Sequence, residues 1–141
     1  MTKISPQGCS PLIDLSEFME LKYRSGARGE DGFVDCWGLG LMIRVAAGKS
    51  RLPEFAEARH GRKGSIQAAY EQLKKITKEG QRESGVIAAV LRNKVCVHVA
   101  ALVNADEVIE IKRSGTKPRV MALSDWIRDY PAPMWEVTFH D

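Results

Sequence analysis

Two residues have the types and positions that nucleophilic catalysis could use. One is a cysteine at the start of a predicted helix, and the other is a histidine in a distant strand-like run. Cys36 follows Asp35, the natural N-cap, at the end of a glycine-rich loop, and an apolar helical pattern begins directly after it. The positive end of a helix dipole favours a thiolate over a thiol, and the thiolate is the reactive nucleophile. His98 lies far downstream, and a cysteine paired with a distant histidine is typical of a cysteine hydrolase.

A carboxylate beside the histidine would complete such a site. Because side chains alternate across a strand, we expect one face of the run at 95–103 to present Cys96, His98, Ala100 and Leu102. If the run at 107–112 pairs with it through a short turn, Glu110 lies close to His98. The carboxylate would then fix the imidazole in one tautomer and raise its basicity, which favours a thiolate–imidazolium pair with Cys36.

The elements that must position these residues are predicted to form a single α+β domain. A chain of 141 residues has the size of one domain. Helical patterns cover 12–23, 36–48 and 66–78, strand-like runs cover 86–91, 95–103, 107–112, 119–123 and 134–139, and a short helix covers 125–130. This order predicts N-terminal helices packed on one face of an antiparallel sheet. Residues 12–141 are expected to form the domain and residues 1–11 a flexible N-terminal arm.

Composition and charge exclude several classes of partner. The net charge of +3 comes without a stripe of Lys and Arg, so we expect no nucleic-acid partner. No run approaches the roughly 20 apolar residues of a membrane span, so we expect no membrane insertion. Three cysteines without regular spacing argue against a disulfide framework. The first residues lack the apolar core of a signal peptide, which predicts synthesis in a cytoplasm without one.

Other interpretations of the same side chains stay open. Cys96 and His98 are two residues apart, and with Cys36 nearby they could supply three ligands to zinc. The sequence has no Cys-x-x-Cys or His-x-x-x-His pair, however, so we predict neither a metal nor a cofactor. Cys96 is alternatively a thiol close enough to Cys36 to form a disulfide on oxidation. Cys36 itself could be a structural thiol, because free cysteines are often buried in the core.

Several motifs follow one another in an order found in a known family. Tyr23–Gly26 forms a Tyr-x-x-Gly loop, and Asp35–Leu39 reads Asp-Cys-Trp-Gly-Leu at the start of the predicted helix. His98–Val99 follows in the second predicted strand, and Glu110 follows in the third. This pattern resembles the NlpC-like peptidoglycan peptidases, a branch of the papain-like cysteine hydrolases. The likeness is closest to their phage-tail branch, which often carries Trp directly after the cysteine.

The resemblance implies a papain-like fold and a cysteine peptidase that cleaves amide bonds to γ-D-glutamyl or similar units in bacterial cell-wall peptidoglycan. It makes Cys36 the nucleophile and His98 the general base, and Glu110 stands where the family has the residue that orients the histidine. Tyr23 matches a tyrosine whose hydroxyl helps to stabilise the oxyanion, with the backbone N–H of Cys36 as a second donor. The implied partners are peptidoglycan peptides and phage-tail proteins, and the implied site of action is the virion tail or the periplasm.

Two alternative functions are compatible with the same residues. A tail-assembly or binding module would keep the fold with weak catalysis or none. A secreted antibacterial amidase effector would apply similar chemistry in another biological setting. The reactivity of the Cys36 thiol distinguishes an inactive module from either enzyme.

Overall fold

The computed structural model describes residues 13–54, 65–113 and 117–141, so the arm predicted at 1–11 lies outside the described residues. Over these ranges the chain has an α+β fold in which helices pack against a five-stranded antiparallel sheet. The elements in chain order are β1 (Lys22–Tyr23), β2 (Phe33–Val34), α1 (Cys36–Ala46), α2 (Ser65–Ile76), β3 (Ile87–Arg92), β4 (Val95–Asn104), β5 (Glu107–Glu110), β6 (Arg119–Ala122), α3 (Leu123–Ile127) and β7 (Trp135–His140).

The five strands of the main sheet lie in the order β6-β5-β4-β3-β7, and every neighbouring pair is antiparallel. β4 is the central strand, and β3 lies between β4 and β7 with its residues from Ile87 to Leu91 buried. The short, wholly apolar run in the sequence therefore marks a strand with neighbours on both sides and packing on both faces. On its other side β4 pairs with β5, which pairs in turn with β6, and Glu110 and Arg119 lie opposite each other in the β5–β6 ladder.

Helices cover both faces of the sheet. On one face, α1 and α2 contribute to a core cluster that includes Leu39, Ile43, Leu73, Ile87 and Ala89. On the opposite face, α3 contributes to a second cluster that includes Leu123, Trp126, Ala88 and Val90. The prediction of N-terminal helices on one face is confirmed for α1 and α2, and the short helix α3 closes the other face.

The helix predicted over 12–23 is wrong for the described residues 13–23. Residues 16–20 form turns, and the segment ends in β1, which pairs in parallel with β2. Asp14 accepts hydrogen bonds from the backbone N–H and the hydroxyl of Ser16, and such local bonds compete with helix formation. Phe18 and Leu21 are buried nonetheless. The apolar spacing thus reports burial correctly but not the backbone conformation.

A β-bulge at Val97 changes which side chains of β4 share a face. Two consecutive residues of β3 pair with His98 and Cys96, which leaves Val97 as an extra residue in β4. Cys96 consequently lies in the core cluster beneath α1 and α2, whereas Ala100 and Leu102 lie in the opposite cluster. The prediction that Cys96 shares a face with Ala100 and Leu102 is therefore wrong, because strict alternation does not hold across a bulge.

The first turn of α1 packs against the backbone of the preceding loop closely enough to require glycine. A Cβ atom on Gly38 would lie 2.6 Å from the carbonyl oxygen of Ala27 and 3.1 Å from the Cα of Arg28. Both are backbone atoms, which cannot move without displacing the loop. At Gly40 the nearest atom would be the terminal Cδ1 of Ile87 at 3.1 Å, and a side-chain adjustment can relieve that contact.

Replacement of Gly38 by alanine is expected to lower the free energy of unfolding by about 1–3 kcal/mol, the usual cost of overpacking. Gly40→Ala is the matched control, because it brings the same gain in helix propensity of roughly 1 kcal/mol against a movable neighbour. We expect Gly40→Ala to be the milder substitution. Urea unfolding followed by circular dichroism measures both, and equal losses would contradict this account of the packing.

Candidate active site

The first turn of α1 fixes the position of Cys36. Asp35 is the N-cap, as predicted, and its Oδ1 accepts a hydrogen bond of 2.7 Å from the backbone N–H of Gly38. This bond satisfies one of the donors that the start of a helix leaves without a partner, so the helix begins at Cys36. The Cys36 side chain is partly buried against the core, at the positive end of an 11-residue helix.

Arg28 holds the N-cap from the side of the loop. Its Nη1 lies 2.7 Å from each carboxylate oxygen of Asp35, and the backbone N–H of Gly26 donates to Oδ2 at 3.2 Å. The side chains of Arg28 and Asp35 are both almost completely buried. A buried carboxylate requires such donors because it has lost its hydration. The glycine-rich loop is therefore tied to the helix start, which fixes the backbone around Cys36.

His98 and Glu110 are in direct contact, as expected from the pairing of their strands. The Nε2 of His98 donates a hydrogen bond of 2.8 Å to Oε1 of Glu110. The side chain of His98 is 14% exposed and that of Glu110 is 0% exposed. Because Nε2 is engaged with the carboxylate, the ring orientation is fixed and Nδ1 is the nitrogen left for Cys36.

Two further side chains donate hydrogen bonds to the Glu110 carboxylate. Trp126 Nε1 donates to Oε1 at 3.0 Å, while Arg119 Nε and Nη2 approach Oε2 at 2.7 and 2.6 Å. Burial raises the pKa of Glu110, but the hydrogen bonds from His98 and Trp126, the charge of His98 and the bond from Arg119 outweigh burial and lower the pKa to about 2. Glu110 is therefore ionised across the neutral range.

The imidazole of His98 binds its proton unusually tightly. Burial lowers the pKa of His98, but hydrogen bonds with Cys36 and Glu110 and the charges of both groups outweigh burial and raise the pKa from 6.5 to about 9. The folded chain holds this proton more tightly than the unfolded chain does. The resulting stabilisation is complete below pH 6.5 and is lost as the pH rises through about 9.

Cys36 lies close enough to His98 to raise the pKa of the imidazole, although the two residues come from a helix start and from the middle of a sheet. Such proximity is what a thiolate–imidazolium pair requires. With Glu110 on the far side of the ring, the three groups form a continuous chain from helix α1 through β4 to β5.

Tyr23, Cys36 and His98 line one cleft of about 740 Å³. Tyr23 is placed there by β1, because the pairing of β1 with β2 sets Tyr23 beside Val34, two residues before Cys36. Other parts of the wall are formed by Val95, Val97, Ile111, Lys112, Arg113, Tyr130 and Trp135. The structure thus brings the four predicted site residues to one region, with Glu110 behind His98. Their catalytic roles stay predictions.

Cys96 also lines the cleft, but its environment disfavours the thiolate. Its exposed fraction is 2%, and burial raises the pKa of the Cys96 thiol to about 12. Its sulfur lies 3.6 Å from the backbone oxygen of His98. Cys36 and Cys96 are both free thiols, so no disulfide joins them. Across 13–54, 65–113 and 117–141, no three His, Cys, Asp or Glu side chains are grouped to hold a metal ion.

Three residues that support the site were not predicted. Arg119 lies directly opposite Glu110 in the β5–β6 ladder, and an arginine facing a glutamate is a cross-strand pair that becomes visible once the register is known. Trp126 lies in the short helix α3, and no periodicity reveals which strand its indole reaches. Arg28 belongs to the glycine-rich loop, where its sequence context resembles that of a surface residue.

This chain matches no protein-family model. No curated protein matches it either. Within the part of the chain that the structure describes, no helix has the length and apolar character needed to cross a membrane.

At neutral pH, iodoacetamide is expected to alkylate Cys36 at least roughly tenfold faster than Cys96, because thiolate character and access control the rate. Cys36 is partly exposed beside His98, whereas Cys96 is buried with its pKa raised to about 12. Peptide mass spectrometry of a labelling time course measures both rates. His98→Gln should slow labelling of Cys36 while leaving Cys96 unchanged, and equal labelling of the two cysteines in the native protein would contradict the site.

Proposed function

We propose that this chain is a cysteine peptidase with an NlpC-like, papain-type fold that hydrolyses amide bonds in peptidoglycan peptides. The observation that carries the proposal is that Cys36 and His98 line one cleft, where Cys36 raises the pKa of His98, while Glu110 is bonded to Nε2 of the same imidazole. A nucleophile, a proton carrier and a group that orients the carrier are the elements of this chemistry. They lie beside a cleft whose volume suits a peptide-sized ligand.

In the first half of the reaction, the Cys36 thiolate attacks the carbonyl carbon of the scissile amide. A carbon–sulfur bond forms, and the carbonyl electron pair moves to oxygen to give a tetrahedral oxyanion. As the carbonyl re-forms, the carbon–nitrogen bond breaks and the His98 imidazolium gives its proton to the leaving amine. The products of this half are a free amine, a thioester on Cys36 and a neutral imidazole.

In the second half, water replaces the amine. Neutral His98 takes a proton from a water molecule, whose oxygen attacks the thioester carbon. The second tetrahedral intermediate collapses with cleavage of the carbon–sulfur bond, which releases a carboxylic acid product. The Cys36 thiolate and the His98 imidazolium are then restored. Glu110 stays ionised throughout, and its hydrogen bond to Nε2 keeps the ring in place between the two halves.

Two groups are proposed to bind the oxyanion. The backbone N–H of Cys36 is at the start of α1, where it has no partner within the helix and points along the dipole. Tyr23 lines the same cleft and can offer its hydroxyl as the second donor. Preorganised donors of this kind contribute about 10²–10³-fold each to acyl transfer.

The cleft walls suit a peptide that carries both apolar and carboxylate groups. Val95 and Val97 are close to half exposed, which is unusual for valine in a strand, and they provide an apolar wall beside His98. Lys112 and Arg113 add positive charge to the same cleft, where they complement carboxylates on a substrate. The assignment of the substrate to cell-wall peptide comes from the family resemblance, and these surroundings agree with it.

The order of elements supports the family assignment. The nucleophile opens a helix, and the histidine and its orienting residue follow on adjacent antiparallel strands. The same order is implied by the resemblance of Asp35–Leu39 and His98–Val99 to NlpC-like motifs. We propose the phage or prophage tail as the biological setting, because Trp37 follows the cysteine as it does in that branch.

Incubation of the purified protein with peptidoglycan is expected to release new muropeptides, and mass spectrometry of the soluble products detects them. Cys36→Ala should reduce their release at least about 10³-fold, because the nucleophile cannot be replaced. His98→Gln should have a comparable effect. Cys96→Ala is the matched control, because it removes a thiol from the same cleft without touching the proposed chemistry.

Identical muropeptide profiles for the unmodified protein and Cys36→Ala would reject peptidoglycan as the substrate. If Cys36 then also showed no preferential alkylation, an inactive tail-assembly or binding module would replace the enzyme as the better account. Preferential alkylation without wall cleavage would keep the hydrolase chemistry and move the search to other amides.

A further inference from the structure

We propose that Arg119 is a positioning residue of the catalytic site, which acts on His98 through Glu110. The inference rests on the proposed function, and it extends the Cys36–His98–Glu110 chain by one charged group. Arg119 does not line the cleft, and nothing in the sequence motifs marks it. It is the last member of a row of charged side chains that crosses the sheet from α1 to the strand β6.

The two oxygens of the Glu110 carboxylate have separate partners. Oε1 accepts hydrogen bonds from His98 Nε2 at 2.8 Å and from Trp126 Nε1 at 3.0 Å. Oε2 accepts from Arg119, whose Nε and Nη2 lie 2.7 and 2.6 Å away. The carboxylate is therefore held by three side chains from three different elements. Rotation of the carboxyl group, which would move Oε1 away from His98, would break the contacts with Arg119.

The strand register explains why Arg119 reaches this position. Glu110 pairs directly with Arg119 in the antiparallel β5–β6 ladder, and side chains directly opposite each other lie within contact distance. The Glu110 side chain has no exposed surface, whereas that of Arg119 is 53% exposed. The guanidinium thus keeps part of its hydration while it donates to a fully buried carboxylate.

Charge along the row alternates in sign. When Cys36 is a thiolate and His98 an imidazolium, the order is negative, positive, negative, positive, and the four groups together carry no net charge. Without Arg119, the remaining groups Cys36, His98 and Glu110 would together carry one uncompensated negative charge. Such a charge is costly in a low-dielectric interior. Two other titratable groups lie nearby: Tyr130, whose pKa is raised by burial and by the Glu110 charge, and Lys112, whose Nζ lies 5.8 Å from the centroid of the Tyr130 ring.

Removal of the guanidinium has a defined electrostatic effect. An opposite charge within contact distance lowers a carboxyl pKa by about 1–3 units, so loss of Arg119 raises the pKa of Glu110. A protonated Glu110 no longer favours the imidazolium, and the thiolate–imidazolium pair is then lost at a higher pH on the acid side. A residue that only stabilised the fold would not shift this midpoint.

The test compares Arg119→Gln, Arg119→Lys and the control Arg128→Gln. The Arg128 side chain is also exposed, at 79%, and it forms an ion pair with Asp125 on α3, so its removal takes away the same charge at a place away from Glu110. The rate of Cys36 alkylation by iodoacetamide is measured against pH, and a ¹³C NMR titration follows the Glu110 carboxyl. Both measurements are independent of the wall substrate.

Arg119→Gln is expected to raise the acid-side midpoint of alkylation, and the pKa of the Glu110 carboxyl, by about one pH unit. Arg119→Lys should keep the midpoint close to that of the unmodified protein, because lysine retains the positive charge. Arg128→Gln should reproduce the unmodified profile. Superimposed profiles for Arg119→Gln and the unmodified protein would overturn the proposal. An equal shift in Arg128→Gln would also overturn it, because the effect would then be one of general charge. A shifted profile without any wall cleavage would retain this inference while rejecting the peptidoglycan substrate.

Discussion

A carboxylate with no exposed surface stays ionised only where donors replace the water it has lost, and Glu110 meets this condition with His98, Trp126 and Arg119. The arrangement requires β4, β5, β6 and α3 to meet at one point, and the donor on α3, Trp126, also belongs to the second hydrophobic cluster. The Glu110 carboxylate in turn raises the pKa of His98 and fixes the orientation of its ring. The proposed chemistry of Cys36 depends on that proton.

A second buried carboxylate, Asp35, has the equivalent role on the other side of the site. It caps α1 through the N–H of Gly38 and is held by Arg28. Buried ion pairs contribute little net stability, because desolvation offsets their attraction, but removal of one partner is costly. Asp35 and Glu110 are best understood as devices that fix geometry. One aligns the start of the helix that carries the thiol, and the other aligns the imidazole that meets it.

The sequence was informative where a local rule decides the structure. The start of α1 at Cys36 was predictable from Asp35 and the apolar spacing, and the strand order placed Glu110 beside His98. The α+β class was also predictable, because helical patterns precede a series of strand-like runs in the sequence. Prediction failed at residues 13–23 and at Cys96, where side-chain hydrogen bonds and a bulge at Val97 override the simple periodicities. Arg119, Trp126 and Arg28 could not be found from spacing, because their roles depend on a register and on loop packing that the fold defines.

The central claim is that His98 is a protonated partner of both Cys36 and Glu110 at neutral pH. An NMR titration of the His98 ring, with His98→Gln used to assign its signal, measures this most directly. The account predicts a midpoint near 9, well above the ordinary value of 6.5, with a decrease in Glu110→Gln and in Cys36→Ser. A midpoint at or below 6.5 that neither substitution changes would contradict it.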